Sequence, residues 1–210
     1  MIKRIALFHP AEQLHEFFNT APAPESMFLP SYNIAIGRHV PALLWEGEKR
    51  VYSHVRWGKS DPSAAQLDLG EYRFSAQAAD AKSYAVIPIS GFYVWKSGRE
   101  KEHPFFVRMM DNAPMAVAAF LKHENKNTPY IEFAYQQANT LIRPMSDLMP
   151  VLLTAEQVGT WIEADKSTAE AVYKQAGGNF NITDLTVHRV SKKVNDPAND
   201  AEPLIQPIPK

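Results

Sequence analysis

The chain contains no cysteine, and this absence removes several kinds of chemistry together. None of the 210 residues is Cys, so disulfides, thiolate zinc ligands and thiol nucleophiles are all excluded. The seven histidines are not paired at three- or four-residue spacing, the spacing that places two metal ligands on one helix face. We therefore expect neither a metal ion nor a cofactor.

Long apolar runs and a strong excess of one charge are also missing. No stretch of 18 apolar residues occurs, and the first eight residues hold too short an apolar run for a signal peptide. These features predict a cytoplasmic protein without a membrane partner, and we expect it to be a monomer. Lys and Arg number 22 against 23 Asp and Glu, so any affinity for nucleic acid must come from a local basic patch.

The order of apolar and polar residues predicts many strands and a few short helices. Residues 40–45 and 50–57 are expected to form a hairpin around Glu46-Gly47-Glu48. The apolar run 83–95 is interrupted by Pro88 and Gly91. Further strands are expected at 1–8, 32–36, 105–110, 115–121, 130–135 and 185–190, and helices at 10–19, 75–82, 154–163 and 167–176. The pattern is that of an α+β, strand-dominated single domain spanning residues 1–210.

Eight short segments occur in the order that is typical of one known family. They are Tyr32-Asn33-Ile34-Ala35, Trp57-Gly58, AVIPISGFYVW at 85–95, Pro104-Phe105-Phe106, Ala138-Asn139, DLMPVLL at 147–153, VSKKVN at 190–195, and Leu204-Ile205-Gln206-Pro207. Each segment alone is a weak signal, but together they cover nearly the whole chain. The sequence resembles the SRAP family, the SOS response-associated peptidases or abasic-site processing proteins.

This resemblance implies both a fold and an activity. The fold would have twisted antiparallel sheets or an open barrel, with short helices at the periphery. The activity would be recognition of abasic sites in single-stranded DNA, in a bacterial or phage response to DNA damage. In the family, a cysteine at position two and its free α-amino group form a thiazolidine with the sugar aldehyde, beside an asparagine, a glutamate and a histidine. One residue carrying a thiol and an amine can add both groups to one aldehyde carbon.

The departures from the family pattern fall on these reactive positions. Ile2 stands where the family has its cysteine, and its bulk is expected to hinder removal of the initiator methionine. Glu71, Val94 and Ser146 stand at the asparagine, glutamate and histidine positions, and Leu148 replaces a neighbouring arginine. Isoleucine and valine can neither attack a carbonyl nor transfer a proton. The resemblance therefore predicts a pseudoenzyme that lacks the covalent reaction.

Five residues match positions that lie near DNA in the family, and they form the predicted DNA-binding set: Arg4, Asn33, Trp57, Arg73 and Trp95. Arginine can bind phosphate through two parallel hydrogen bonds, and tryptophan can stack on an unpaired base. The alternative is a structural role, in which the tryptophans belong to the core and the second arginine forms an ion pair.

Three functional hypotheses follow. In the first, the protein binds single-stranded or damaged DNA without a covalent bond. In the second, it is an interaction protein whose altered pocket binds a protein or a small ligand, which the carboxylate of Glu71 would favour because it repels phosphate. In the third, Lys3 or the terminal amine replaces the lost cysteine as the nucleophile.

Overall fold

The computed structural model describes residues 2–60, 73–96, 103–126, 128–180 and 183–208. Glu71, which stands at the asparagine position of the family pattern, lies outside these residues. The strands are β1 (Arg4–Leu7), β2 (Ser31–Ala35), β3 (His39–Glu46), β4 (Lys49–Trp57), β5 (Ser83–Ile89), β6 (Gly91–Lys96), β7 (His103–Met109), β8 (Met115–His123), β9 (Pro129–Phe133), β10 (Tyr135–Gln137), β11 (Leu148–Pro150), β12 (Leu152–Leu153) and β13 (Leu185–Arg189). The helices are α1 (Ala11–Phe18), α2 (Phe74–Gln77), α3 (Ala155–Ile162) and α4 (Lys166–Ala176), with 3₁₀ turns at Glu25–Phe28, Lys192–Asn195 and Glu202–Ile205.

One sheet has five strands in the order β13-β7-β6-β1-β2. Every pairing in it is antiparallel, with Ile5 opposite Phe92 between β1 and β6, and Val94 opposite Phe105 between β6 and β7. The start of β1 and the end of β6 therefore meet at one end of this sheet.

The second sheet has six strands in the order β12-β8-β5-β3-β4-β9, and β9 also pairs with β8. Because β9 contacts both β4 and β8, this sheet closes on itself like a small barrel. The predicted β3–β4 hairpin is present, and its turn residues Gly47 and Glu48 have φ of 54° and 70°. Positive φ at both positions is characteristic of the tight turns that suit the strand twist.

The helices cover the outer face of the barrel. A capping box of Thr154 and Gln157 starts α3, as its sequence predicts. Trp161 on this helix is fully buried, and its indole Nε1–H donates to the carbonyl of Ala85 at 2.9 Å. The helix predicted at 75–82 is shorter in the structure, where α2 ends at Gln77. Beyond it, Asp80 has a φ of 62°, which a right-handed helix cannot contain.

The turn between β1 and α1 is held by a buried histidine. The ring Nδ1 of His9 lies 2.5 Å from the hydroxyl of Ser90, and Nε2 lies 2.8 Å from the carbonyl oxygen of Asn112. The same hydroxyl accepts the backbone N–H groups of Phe8 and His9. With both lone pairs occupied, the hydroxyl donates to Nδ1, so the ring is neutral and its Nε2–H donates to Asn112. Burial lowers the pKa of His9, although the hydrogen bond to Asn112 acts against this.

Candidate functional site

A cleft of about 520 Å³ opens at the end of the five-stranded sheet where β1 begins and β6 ends. Its walls are Ile2, Lys3, Arg4, Val94, Trp95, Met145, Ser146, Asp147, Leu148 and Asn195. The cleft thus brings together three of the four substituted positions with two residues of the predicted DNA-binding set. The segments that contain β1 and β6 are about 90 residues apart in the chain. The antiparallel pairing of the two strands brings them together.

The floor of the cleft is hydrocarbon. Ile2 is 0 % exposed, Val94 2 % and Leu148 4 %, and all three belong to the core between the sheets. The main-chain carbonyl of Ile2 accepts a hydrogen bond of 3.4 Å from the phenol of Tyr135. Burial raises the pKa of this phenol well above its ordinary value, so it stays protonated. None of these three floor side chains can act as a nucleophile or a base.

Ser146 turns its hydroxyl toward its own chain. The hydroxyl donates to the carbonyl of Leu148 at 2.7 Å and accepts that residue's backbone N–H at 3.4 Å. This local turn fixes the segment that enters β11. A serine whose donor is engaged in this way closes a turn, and it cannot supply the proton transfer of a histidine.

The rim is positively charged on the side of β1. The guanidinium of Arg4 donates to the carbonyl of Lys3 at 2.9 Å, while its buried Nε–H has no partner among the described residues. Burial lowers the pKa of Arg4, but an arginine stays charged at neutral pH. Lys3 and Asp147 are exposed on the same rim. The charged guanidinium of Arg4 beside an open cleft is suited to an anionic ligand.

Trp95, near the end of β6, forms another part of the cleft wall. It is partly exposed, and its indole Nε1–H donates to the side-chain oxygen of Asn195 at 2.8 Å. Its ring lies 6.3 Å from that of Tyr93. The hydrogen bond fixes the orientation of the indole, so that a base could stack on its exposed part.

Two members of the predicted DNA-binding set, Trp57 and Asn33, lie away from the cleft and are buried. Trp57 is only 2 % exposed, and its ring stacks on Phe133 with centroids 4.6 Å apart. Asn33 is 4 % exposed, and its amide nitrogen lies 2.9–3.1 Å from the carbonyl oxygens of Val194, Asp196 and Asn199. Trp57 belongs to the core, and Asn33 anchors the C-terminal segment.

Arg73 lies in a different depression from Arg4. It immediately precedes α2, and its neighbours there include Glu170, Tyr173 and Lys174 on α4. Arg73 therefore does not line the cleft that holds the substituted positions. The expected repulsion of phosphate by the carboxylate of Glu71 stays a prediction, since the structure does not describe Glu71.

Sequence reasoning missed Asn195 and Tyr135. Asn195 occurs in the VSKKVN segment, which was identified only as a family motif, and nothing local indicates that its side chain reaches Trp95. Tyr135 lies 133 positions from its partner Ile2. Contacts between residues so far apart in the chain depend on the sheet topology, which a single sequence does not reveal.

The described residues include no group of three or more His, Asp or Glu side chains that could hold a metal ion. Among the same residues, no helix is long and apolar enough to span a membrane.

Comparison with known proteins identifies the family. The model of the SOS response-associated peptidase (SRAP) family matches residues 1–197. The abasic site processing protein YoqW of Bacillus subtilis is 27 % identical over 98 % of this chain and 99 % of its own length. YedK of Escherichia coli, also named an abasic site processing protein, is 25 % identical over 84 % of each chain.

Solved structures agree on the fold. A protein from Bacteroides thetaiotaomicron superposes with a TM-score of 0.72 at 12 % identity, covering 98 % of this chain and 99 % of its own. A phage-related protein from Bordetella bronchiseptica gives a TM-score of 0.66 at 16 % identity over 90 % of this chain and 94 % of its own. The predicted strand-dominated α+β architecture is confirmed. This chain belongs to the SRAP family.

Proposed function

We propose that this protein binds single-stranded or damaged DNA in its cleft and forms no covalent bond with it. The relatives bear the name of abasic site processing proteins, which suggests DNA as the ligand class. The chemistry of the cleft suggests what has changed. The single observation that carries the proposal is the position of Ile2, fully buried in the cleft floor where the resemblance expects a reactive cysteine.

The argument against a covalent reaction is chemical. Capture of an aldehyde needs a nucleophile, and proton transfer to the departing oxygen needs an acid or a base nearby. The floor offers isoleucine, valine and leucine, and the hydroxyl of Ser146 is bonded to the main chain at 2.7 Å. Lys3 carries an amine, but it is exposed at the rim rather than enclosed in the apolar surroundings that activate a lysine.

The argument for binding rests on the rim. Arg4 supplies one positive charge, Lys3 adds a second, and Trp95 offers an aromatic surface held by Asn195. Phosphate contacts by cations supply most of the affinity of a non-specific nucleic-acid site, and each stacked base adds about 1–3 kcal/mol. The cleft combines both kinds of group within one opening.

The proposal is tested by fluorescence anisotropy with a labelled single-stranded oligonucleotide, titrated at several salt concentrations. The wild type should bind, and its affinity should fall as salt rises. Trp95→Ala should lower affinity by about five- to a hundredfold, which corresponds to about 1–3 kcal/mol of stacking energy. Trp45→Ala, which removes a partly exposed tryptophan on the other sheet, is the matched control and should leave affinity unchanged.

Absence of any salt-dependent binding by the wild type would contradict the proposal and favour the second hypothesis, a protein or small-molecule ligand. An equal loss in both tryptophan variants would show that the effect is not specific to the cleft.

A further inference from the structure

A second group of basic side chains lies next to the cleft, on the part of the five-stranded sheet that the cleft does not use. Lys96 ends β6, His103 begins β7 and Arg189 ends β13. In the antiparallel register, Lys96 is opposite His103 and Arg189 is opposite Phe105. The ends of three adjacent strands therefore present these residues at one end of the sheet.

The register also determines which face they occupy. Residues directly opposite each other share a face, and so do residues two apart on one strand. Val94, on the cleft floor, is opposite Phe105, which is opposite Arg189. Lys96 and His103 follow two places from Val94 and Phe105. Lys96, His103 and Arg189 are therefore on the same face of the sheet as Val94, whereas Trp95, one place from Val94, is on the other face. The positive groups meet the cleft at the end of the sheet and extend it toward β13.

A third cation joins from the C-terminal region, since His103 is neutral when its Nδ1 accepts a hydrogen bond from Arg189. Lys192 begins the 3₁₀ turn Lys192–Asn195, whose last residue holds the indole of Trp95. Lys96, Arg189 and Lys192 are exposed, and the ring Nδ1 of His103 lies 2.8 Å from the guanidinium of Arg189. We name Lys96, His103, Arg189 and Lys192 the basic track.

Within the described part of the chain, these charges are not neutralised. The four ion pairs found there involve Arg50, Arg56, Lys122 and Lys174, and none involves a residue of the basic track. Partial desolvation, followed by the positive charges of Arg189 and Lys192, lowers the pKa of His103. A site where cations disfavour one another's charge gains most from an anionic ligand.

We propose that the basic track is a second phosphate-binding surface, which holds the sugar–phosphate backbone of a single nucleic-acid strand where it leaves the cleft beside Trp95. This inference rests on the proposed function, since it assigns the continuation of the same ligand. Three adjacent strands span about 10 Å, long enough to face more than one phosphate. The overall charge of −1 means that such a strand is attracted by this local patch and not by the protein as a whole.

The test compares two double variants with the same change in net charge. Lys96→Gln with Arg189→Gln removes two exposed cations of the basic track. Lys49→Gln with Lys82→Gln removes two exposed cations at strand ends of the other sheet and is the control. Both should unfold at the wild-type temperature, because none of the four side chains is buried.

Binding of a labelled single strand of about twenty nucleotides is then measured from low to moderate salt. For a single strand, the slope of log affinity against log salt becomes shallower by about 0.7 for each phosphate that the protein no longer neutralises. The track variant should therefore have a slope shallower than that of the wild type by about 1.4, while the control keeps the wild-type slope.

The outcomes separate the two proposals. If the wild type binds and both double variants have the same slope, the basic track is not a phosphate site, and the cleft proposal stands. If the wild type does not bind the strand at all, both proposals fail.

Discussion

Replacing Asn33 by alanine should destabilise the protein without a direct effect on DNA. The buried amide nitrogen donates toward the carbonyl oxygens of Val194, Asp196 and Asn199 at 3.1, 3.0 and 2.9 Å. An amide has two N–H protons, so it satisfies about two of these acceptors fully. Each buried acceptor left without a donor costs about 1–3 kcal/mol, so the expected decrease in the free energy of unfolding for two acceptors is about 2–6 kcal/mol.

Urea unfolding followed by tryptophan fluorescence measures this decrease. Asn33→Asp should be at least as destabilising, because a carboxylate keeps the shape but places negative charge against carbonyl oxygens. Asn199→Ala is the control: its exposed side chain makes one hydrogen bond, of 2.9 Å, to the carbonyl of Lys193, and its removal should cost less than about 1 kcal/mol. If Asn33→Ala kept wild-type stability but bound DNA about tenfold more weakly, the structural assignment of Asn33 would be refuted.

Three further predictions concern the scaffold. Trp57→Ala should lower the free energy of unfolding, measured in urea, by about 3–5 kcal/mol, because it empties the space beside Phe133. The salt dependence of DNA binding by the folded fraction should not change. Gly91→Ala should lower the free energy of unfolding by about 1–3 kcal/mol. The new Cβ would overlap the ring of Phe106 and the backbone carbonyl of Val107, so the backbone must move. A wild-type melting temperature would contradict this. Burial lowers the pKa of His9, so the unfolded chain takes up more protons and the free energy of unfolding should decline as pH falls below about 6.5, the ordinary histidine pKa. The difference in free energy of unfolding between wild type and His9→Gln should shrink over that range. A constant difference would count against the prediction.

The fold could be predicted from the sequence to a large extent, because its signals are local. The hairpin of β3 and β4, the capping box of α3 and the break between β5 and β6 each depend on a few adjacent residues, and all are present. The run predicted at 130–135 is instead divided at Ala134 into β9 and β10. There the backbone N–H of Ala134 bonds to Ala118, and its carbonyl accepts from Val151, contacts that no local pattern encodes.

The family motifs turned out to report mainly on the scaffold. In Trp57-Gly58, the tryptophan stacks in the core and the glycine has a φ of 85°, which other residues rarely adopt. Asn33, in the first motif, anchors the C-terminal segment. The motifs can therefore identify the family independently of the residues at the positions that the resemblance assigns to the reaction.

The candidate site could be predicted in part. Arg4 and Trp95 line the cleft together with Ile2, Val94 and Ser146, so the alignment of motifs did collect residues that meet in space. Trp57 and Arg73 do not line the cleft. The burial of Trp57 and the location of Arg73 before α2 depend on packing between distant segments. The roles of the residues that do line the cleft stay predictions.

The central claim is that the cleft cannot capture an aldehyde. Intact-mass spectrometry of the protein after incubation with an abasic single-stranded oligonucleotide, with and without borohydride, tests it most directly. Under denaturing conditions, we predict the mass of the unmodified chain in both samples. Under native conditions, we predict a complex with the oligonucleotide that salt dissociates. A stable adduct without reductant, or a borohydride-trapped adduct that Lys3→Ala abolishes, would contradict the claim.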